Sequence, residues 1–396
     1  MPLTWKEREN PYRTTWFSLL EVGPAARPGV FPAMRKKLSA KLQHGQSHVV
    51  GGREVTEAEI IEAEGYGRDV VERVQGIIRN HEGCVEIESL TDVGGHVLGE
   101  RPDPVAPEGW TTVTVKAASL NHHDLWSLRG VGLREEALPM ILGCDAAGFD
   151  EDGNEVVVHG VIGDPRWTGD EADDPGRSLL SERHQGTFAD QVVVPRRNLV
   201  PKPASLSFEE AACLPTAWLT AYRMLFVQGA CQPGETVLVQ GAGGGVATAL
   251  ITLGRAAGLT VLATSRDESK RQRALELGAH EVFESGARLP VKVDAVMETV
   301  GKATWAHSVR SLRPGGRIVI SGTTSGPDVD DAQLTRIFFL QLSVIGSTMG
   351  TRAELDRLVR FLDATGARPL EDRTLPMDQA RDGFAAMAEG DVFGKI

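Results

Sequence analysis

Residues 235–270 read ETVLVQGAGGGVATALITLGRAAGLTVLATSRDESK, and this stretch decides the fold. The apolar run Val237-Leu238-Val239 passes directly into a glycine-dense turn, Gly241-Ala242-Gly243-Gly244-Gly245. A helical segment opening near Val246 follows, and then a second apolar run, Val261-Leu262-Ala263. Strand, turn, helix and strand in that order make a βαβ unit with a phosphate-binding turn. Glycines let the backbone approach a pyrophosphate closely. The helix directs its free N–H groups and the positive end of its dipole at the same anion. Gly241, Gly243, Gly244, Gly245 and Val246 are therefore candidate cofactor contacts. A glycine cluster alone is equally a tight turn; the flanking order separates the two readings.

The end of the second strand bears on which dinucleotide is bound. An NAD site carries an acidic residue roughly 20 residues beyond the first glycine, bonded to the ribose 2′-OH. Here the chain has Thr264-Ser265-Arg266. A hydroxyl and a guanidinium suit a 2′-phosphate, because Arg donates two charge-assisted bonds to it. Lys270, one helical turn on, adds charge. Asp267 and Glu268 keep NAD open, and the balance favours NADP(H). The bland reading is a solvated loop that contains Arg266 by chance.

The chain has 396 residues, 41% hydrophobic and 24% charged, which is enough for two or three domains with a sizeable core. Its 44 glycines suit an α/β enzyme with many turns, and its formal charge of -12 disfavours nucleic acid and anionic membrane as partners. No apolar run is long enough to span a bilayer, and the N-terminus lacks an apolar signal-peptide core. The four cysteines, Cys84, Cys144, Cys213 and Cys231, contain no CxxC pair. That opposes a disulfide framework and a structural zinc lobe, and it points to a reducing cytoplasm.

Residues 1–82 form an extension without a catalytic motif. They hold a basic stretch, Arg35-Lys36-Lys37, and an acidic stretch from Glu54 to Asn80 with apolar residues at roughly helical spacing. A docking arm, a subunit contact and a disordered leader all remain open for it. From about residue 83 the texture is β-rich: CVEIESL, HVLGE, TTVTVKAASL, NEVVVHGVI and FADQVVVP read as short strands. Between them the polar segment 163–186 reads as an exposed loop. Ser207, with Glu210 three residues on, opens a helix. Alternating β and α segments run from about 234 to 350, and two helical segments lead to FGKI at the terminus.

The blocks AASLNHHDLW (117–126), LPMILGCDAAG (138–148), GTFADQVVVP (186–195) and KPASLSFEEAACLPTAWLTAYRML (202–225) stand in that order. VLVQGAGGGVA, LELGAHEVF, LRPGGRIVISGTTSG, FFLQLSVIGSTMG and FGKI follow. Taken together, this series resembles the medium-chain dehydrogenase/reductase superfamily, and most closely its quinone-oxidoreductase-like, zinc-independent branch. The resemblance covers about 83–396. It implies an α/β fold: a GroES-like β-rich catalytic domain (83–220 and 355–396) plus a Rossmann doubly wound parallel sheet (221–354), with the cofactor cleft between them. It also implies a few further residues after FGKI, cofactor contacts at Thr216, Gly322 and Ser347, and a homodimer formed near Ser343 to Gly346.

Zinc-dependent relatives need three N or S donors and one open position. Lined up on the blocks, the ligand positions hold Asn121, Cys144 and Thr216, and no four-cysteine lobe is present, so no metal is expected. His122, His123 and Cys144 form a weaker, improvised alternative. Asn121, Asp124 and His123 are the catalytic candidates. By resemblance Asn121 faces the nicotinamide and donates to a substrate oxygen, and His123 is a possible proton donor. The plainer readings are a packing histidine at His123 and a loop-holding or N-cap role for Asp124. Trp126, Trp167 and Trp218 are pocket candidates that core packing explains equally well. The function expected is NADPH-dependent hydride transfer to a small quinone, enone or aldehyde. The alternatives are a zinc alcohol dehydrogenase and a non-catalytic NADPH-binding sensor or scaffold.

Overall fold

The computed structural model describes residues 96–396 and, before them, the strands His48–Val50, Arg53–Val55 and Cys84–Ile87. The chain divides into two units, residues 1–77 and 78–396. In the first, His48–Val50 and Arg53–Val55 pair antiparallel. The two-residue Gly51-Gly52 spacing between these β-prone runs is a hairpin signal. Glu54 and Val55 therefore belong to a strand, which corrects the helical reading at the head of the Glu54 to Asn80 stretch. The rest of that stretch and the basic Arg35-Lys36-Lys37 lie outside the described residues.

In the second unit a six-stranded sheet follows from the βαβ signal. Across the sheet the strands run Glu281–Glu284, Thr260–Ser265, Thr236–Val239, Val293–Glu298, Leu312–Ile320 and Ser343–Gly346. Every neighbouring pair is parallel. Numbered along the chain the order is 3-2-1-4-5-6, the doubly wound Rossmann arrangement. Because strand side chains alternate, both faces must be covered. Val237, Val239, Val261, Ala263, Ala295 and Met297 pack against Ala249, Leu250 and Leu253 of the helix Gly245–Ala256. Leu238, Leu262, Val296 and Ile318 pack on the opposite face against Trp305 and Val309.

The β-rich blocks form an antiparallel sheet in the order Gln191–Pro195, Trp110–Ala118, Ala146–Phe149, Glu155–Val158 and Leu199–Pro201. Val113, Ala146, Val156, Val158, Val192 and Val194 share one buried cluster. Ala147, Val157 and Val200 belong instead to the cluster that reaches the Rossmann sheet. A GroES-like domain and a Rossmann domain thus share one continuous core.

The polar segment 163–186 is not simply an exposed loop. Ser178–Leu179 pairs with Val161–Ile162, and Ala172, Asp174, Leu180 and Ser181 are buried. The acidic composition is misleading because the Asp174 carboxylate satisfies the loop's own backbone. Its oxygens accept from the N–H groups of Asp164 (2.6 Å) and Gly176 (2.7 Å).

The segment linking the two domains begins as the sequence predicts. Ser207 Oγ accepts from Glu210 N–H at 3.1 Å, and Ser207 N–H donates to Glu210 Oε2 at 2.9 Å. The helix Phe208–Ala212 then widens into π-type turns at Leu214–Trp218 and Arg223–Gln228. Trp218 is fully buried and so belongs to the core. Among the described residues no helix is long and apolar enough to cross a membrane.

Arg223 and Glu354 are 4% and 3% exposed and meet through bonds of 2.7 and 2.8 Å. The same glutamate accepts from Thr351 N–H (2.9 Å) at the start of the helix Arg352–Thr365. Removing one partner of a buried pair strands the other charge. Glu354→Ala should lower the unfolding free energy by about 3–5 kcal/mol in urea denaturation. A loss under about 1 kcal/mol would mean that solvent screens the pair.

Candidate active site

The glycine turn lies where the sheet order reverses, just beyond the carboxyl end of Thr236–Val239, the position at which doubly wound sheets bind ligands. Gly241 and Gly243 have φ of +74° and +149°, which side chains rarely adopt. Gly244 is the N-cap of the helix Gly245–Ala256, and Val246 is half-buried in its first turn. A Cβ on Gly244 would meet no heavy atom within 4 Å, so this face of the turn is open to an anion. Gly245 has the opposite constraint: a Cβ there would lie 2.5 Å from Lys395 Cδ. Gly322 and Ser347 follow the neighbouring strands on the same edge of the sheet. Ser347 N–H donates to Ile320 O at 2.8 Å.

At the end of the second strand Ser265 is buried and Arg266 is exposed, with no hydrogen-bond or ion-pair partner among the described residues. The neighbouring acids are already committed. Asp267 Oδ1 caps the next helix by accepting from Lys270 N–H at 3.1 Å, and Glu268 pairs with Arg271. Lys270 does not extend toward Arg266. Its Nζ donates to Gly390 O (2.6 Å) and Val392 O (3.0 Å), and its side chain lies beside Gly243.

Across the cleft, Asn121, Cys144 and Thr216 come together around a residue the sequence reading did not select, Asp145. Asp145 is fully buried. Its Oδ2 accepts from Asn121 Nδ2 (2.8 Å) and Ser119 Oγ (3.0 Å), and its Oδ1 accepts from Thr216 Oγ1 (2.6 Å). Cys144 Sγ lies 3.6 Å from Asn121 Nδ2 and 3.5 Å from Thr216 Oγ1. Burial, together with the charges of Asp145 and Asp124, pushes its thiol well above the usual range. Lys395, 3% exposed, enters from the C-terminal segment. Its Nζ donates to Leu120 O and Asn121 Oδ1, both at 2.7 Å, and lies 3.5 Å from Asp145 Oδ2. Ser119, Asp145 and Lys395 were missed. The available signal was a lone cation in the otherwise apolar block FGKI and an acid inside the buried-looking block ILGCDAAG.

The other catalytic candidates adjoin this cluster but make different hydrogen bonds. Asp124 is fully buried and its Oδ2 accepts from Asn121 N–H at 2.7 Å, closing the first turn of the helix His122–Leu128. Asn121 is the N-cap and Asp124 stands three residues on, so the loop-holding reading describes this contact. His123 Nε2 meets Ser181 Oγ (3.2 Å) and Ser127 Oγ (3.3 Å). Burial lowers its pKa, with Glu182 and Asp145 opposing. Of the adjacent pair His122 is the more exposed, and desolvation with the Lys395 and Arg129 charges lowers its pKa. Among the described residues no group of three or more His, Cys, Asp or Glu is arranged to hold a metal.

Two family models match this chain: an alcohol dehydrogenase GroES-like domain at residues 107–204 and a zinc-binding dehydrogenase domain at 245–364. The chain is 27% identical over 320 residues to acryloyl-coenzyme A reductase of Sulfurisphaera tokodaii, covering 76% of this chain and 96% of the relative. It is 26% identical over 318 residues to quinone oxidoreductase of Mus musculus, covering 75% and 92%. A crystal structure of an NAD-dependent alcohol dehydrogenase superposes with a TM-score of 0.74 at 32% identity, covering 79% of this chain and 98% of that one.

Burial pushes the Asp124 carboxyl up to about 7; the Asp145 charge adds to this, while the Asn121 N–H bond and Lys395 oppose it. The folded state therefore holds this proton more tightly than the unfolded chain. The associated stability is complete below the ordinary value of 3.8 and is lost as pH rises from there to about 7. Asp124→Asn should flatten that fall in the thermal midpoint. Identical pH dependence in both proteins would rule out Asp124 as its source.

Proposed function

The chain belongs to the medium-chain dehydrogenase/reductase superfamily, and on that premise we propose that it is an NADPH-dependent reductase acting on a small quinone, enone or aldehyde without a catalytic metal. The observation that carries the cofactor choice is the exposed Arg266, without a partner among the described residues, beside acids that bind other groups. A 2′-phosphate would find a guanidinium and the Ser265 region there, with Asp267 turned to the next helix's first N–H groups and Glu268 to Arg271. The open face of Gly244 supports a pyrophosphate seat.

Bound NADPH would supply the hydride, and solvent the proton that completes reduction to the hydroquinone, saturated carbonyl or alcohol. The protein's share is orientation. Thr216 spends its proton on Asp145, so its oxygen acts as an acceptor: Cys144 Sγ lies 3.5 Å from it, and a remaining lone pair could accept from the nicotinamide carboxamide. Asn121, held on both sides of its amide, would present a preorganised dipole to the reacting atoms. Zinc-independence rests on donor chemistry: an amide, a protonated thiol, a hydroxyl and an ammonium do not make a three-donor zinc site.

A homodimer is also proposed. Ser343–Gly346 is one of the two edge strands of the six-stranded sheet, with Val344 45% exposed. The adjoining helix Leu334–Phe339 leaves Leu334, Phe338 and Phe339 exposed, the two phenylalanine rings stacked at 4.7 Å. An open edge flanked by apolar side chains suits pairing with its copy.

The reductase reading is tested by following NADPH and NADH oxidation over a quinone, enone and aldehyde panel, before and after chelation. NADPH should be preferred and activity should survive chelation. Arg266→Ala should cost about 1–3 kcal/mol of NADPH binding and barely change NADH binding. Equal affinity for both cofactors in the unaltered protein would sink the assignment. For the assembly, Phe338→Asp/Val344→Lys should convert a dimer to a monomer by light scattering. An unaltered protein that is already monomeric at micromolar concentration would refute the interface.

A further inference from the structure

The positions that carry metal ligands in zinc-dependent relatives surround a side chain from the last block of the chain. We propose that the Lys395 ammonium is the resident cation of this site: it takes the organising place of a metal and fixes Asn121 and Thr216 for hydride transfer. The assignment rests on the reductase reading above and concerns a positioning residue, which acts through the groups it holds.

Lys395 Nζ has three donors and three acceptors around it: Leu120 O and Asn121 Oδ1 at 2.7 Å each, and Asp145 Oδ2 at 3.5 Å. An amide can be turned over at little cost unless its two ends are told apart. Here the ammonium selects Oδ1 and the Asp145 carboxylate selects Nδ2, so the Asn121 amide has one orientation. The same carboxylate takes the Thr216 proton through its other oxygen, which settles the donor direction of that hydroxyl. Asp145, fully buried, needs a counter-charge, since taking an unpaired carboxylate out of water is costly. Lys395 is the cation bonded into this cluster.

The backbone around Lys395 ties this cation to the cofactor seat. Gly394 N–H donates to Gly243 O at 2.9 Å, inside the phosphate-binding turn. Leu120 N–H donates to Ile396 O at 2.9 Å, just before Asn121. The side chain passes over Gly245, where any Cβ would collide with it. Three consecutive residues therefore connect the turn of one domain to the polar cluster of the other. A displaced Lys395 would release the nicotinamide end of the cleft more than the phosphate end, because the turn keeps its own glycines and helix terminus.

The test uses the full-length protein with two variants, Lys395→Met, which keeps bulk without charge, and Lys395→Ala, which leaves room for a small amine. Lys395→Met should bind NADPH, followed by cofactor fluorescence, within about threefold of the unaltered protein while kcat with a reducible quinone or enone falls by at least about tenfold. In Lys395→Ala, n-propylammonium should raise both kcat and the thermal midpoint saturably, and n-propanol should not. Unchanged kcat in a folded Lys395→Met overturns the proposal. So does equal rescue by propanol, which would reduce Lys395 to a packing residue. If the alanine variant does not fold, the methionine variant decides through its split between cofactor affinity and kcat. If the unaltered protein reduces none of the probes, the reductase reading fails separately, and the thermal midpoint decides on the cation: rescue by propylammonium alone sustains it, and equal or no rescue overturns it.

Discussion

A buried carboxylate must be compensated where it stands, and that constraint organises the cleft of this protein. Asp145 is fully inaccessible and gathers Ser119, Asn121, Thr216 and Lys395 from segments far apart in the chain. Each donor removes part of the cost of taking the charge out of water, and together they leave little rotational freedom to any member. The Asn121 amide and the Thr216 hydroxyl inherit their directions from this one group. The widened helical turn at Leu214–Trp218 brings Thr216 to the cluster, and such π-type irregularities are frequent at functional sites.

The second constraint is the close approach of backbone segments at the glycine turn. Gly244 is open on the side where an anion would sit, whereas Gly245 is closed on the side where Lys395 passes. Two adjacent glycines thus have different physical reasons. One keeps the phosphate seat accessible to backbone N–H groups, and the other lets the C-terminal segment cross. The parallel sheet makes this possible by placing the turn at the reversal of strand order, with Gly322 and Ser347 on the same edge.

Several local readings changed once partners were known. The acidic segment 163–186 looks solvated by composition, yet Asp174 is buried because it binds two backbone N–H groups of its own loop. His123 has the right chemistry for proton transfer, but it packs against Ser127 and Ser181, while its neighbour His122 reaches solvent. Lys270 is near the right place in sequence to meet a 2′-phosphate, yet its ammonium binds the carbonyls of Gly390 and Val392. In each case composition describes the residue, and the three-dimensional neighbourhood decides what its polar atoms do.

The doubly wound sheet, the glycine turn that ends its first strand and the β-rich half that precedes it are legible in the amino-acid order alone. Those features depend on local periodicity, turn chemistry and the order of blocks, all of which are written along the chain. Ser207 with Glu210 is legible for the same reason, since both halves of a capping box lie within four residues. That Asp145 is the hub and Lys395 its cation emerges only from the folded neighbourhood. Their partnership joins the block 138–148 to the final residues of the chain. No local pattern encodes such a pairing, because the force that requires it, the cost of burying charge, acts only when folding has removed the water.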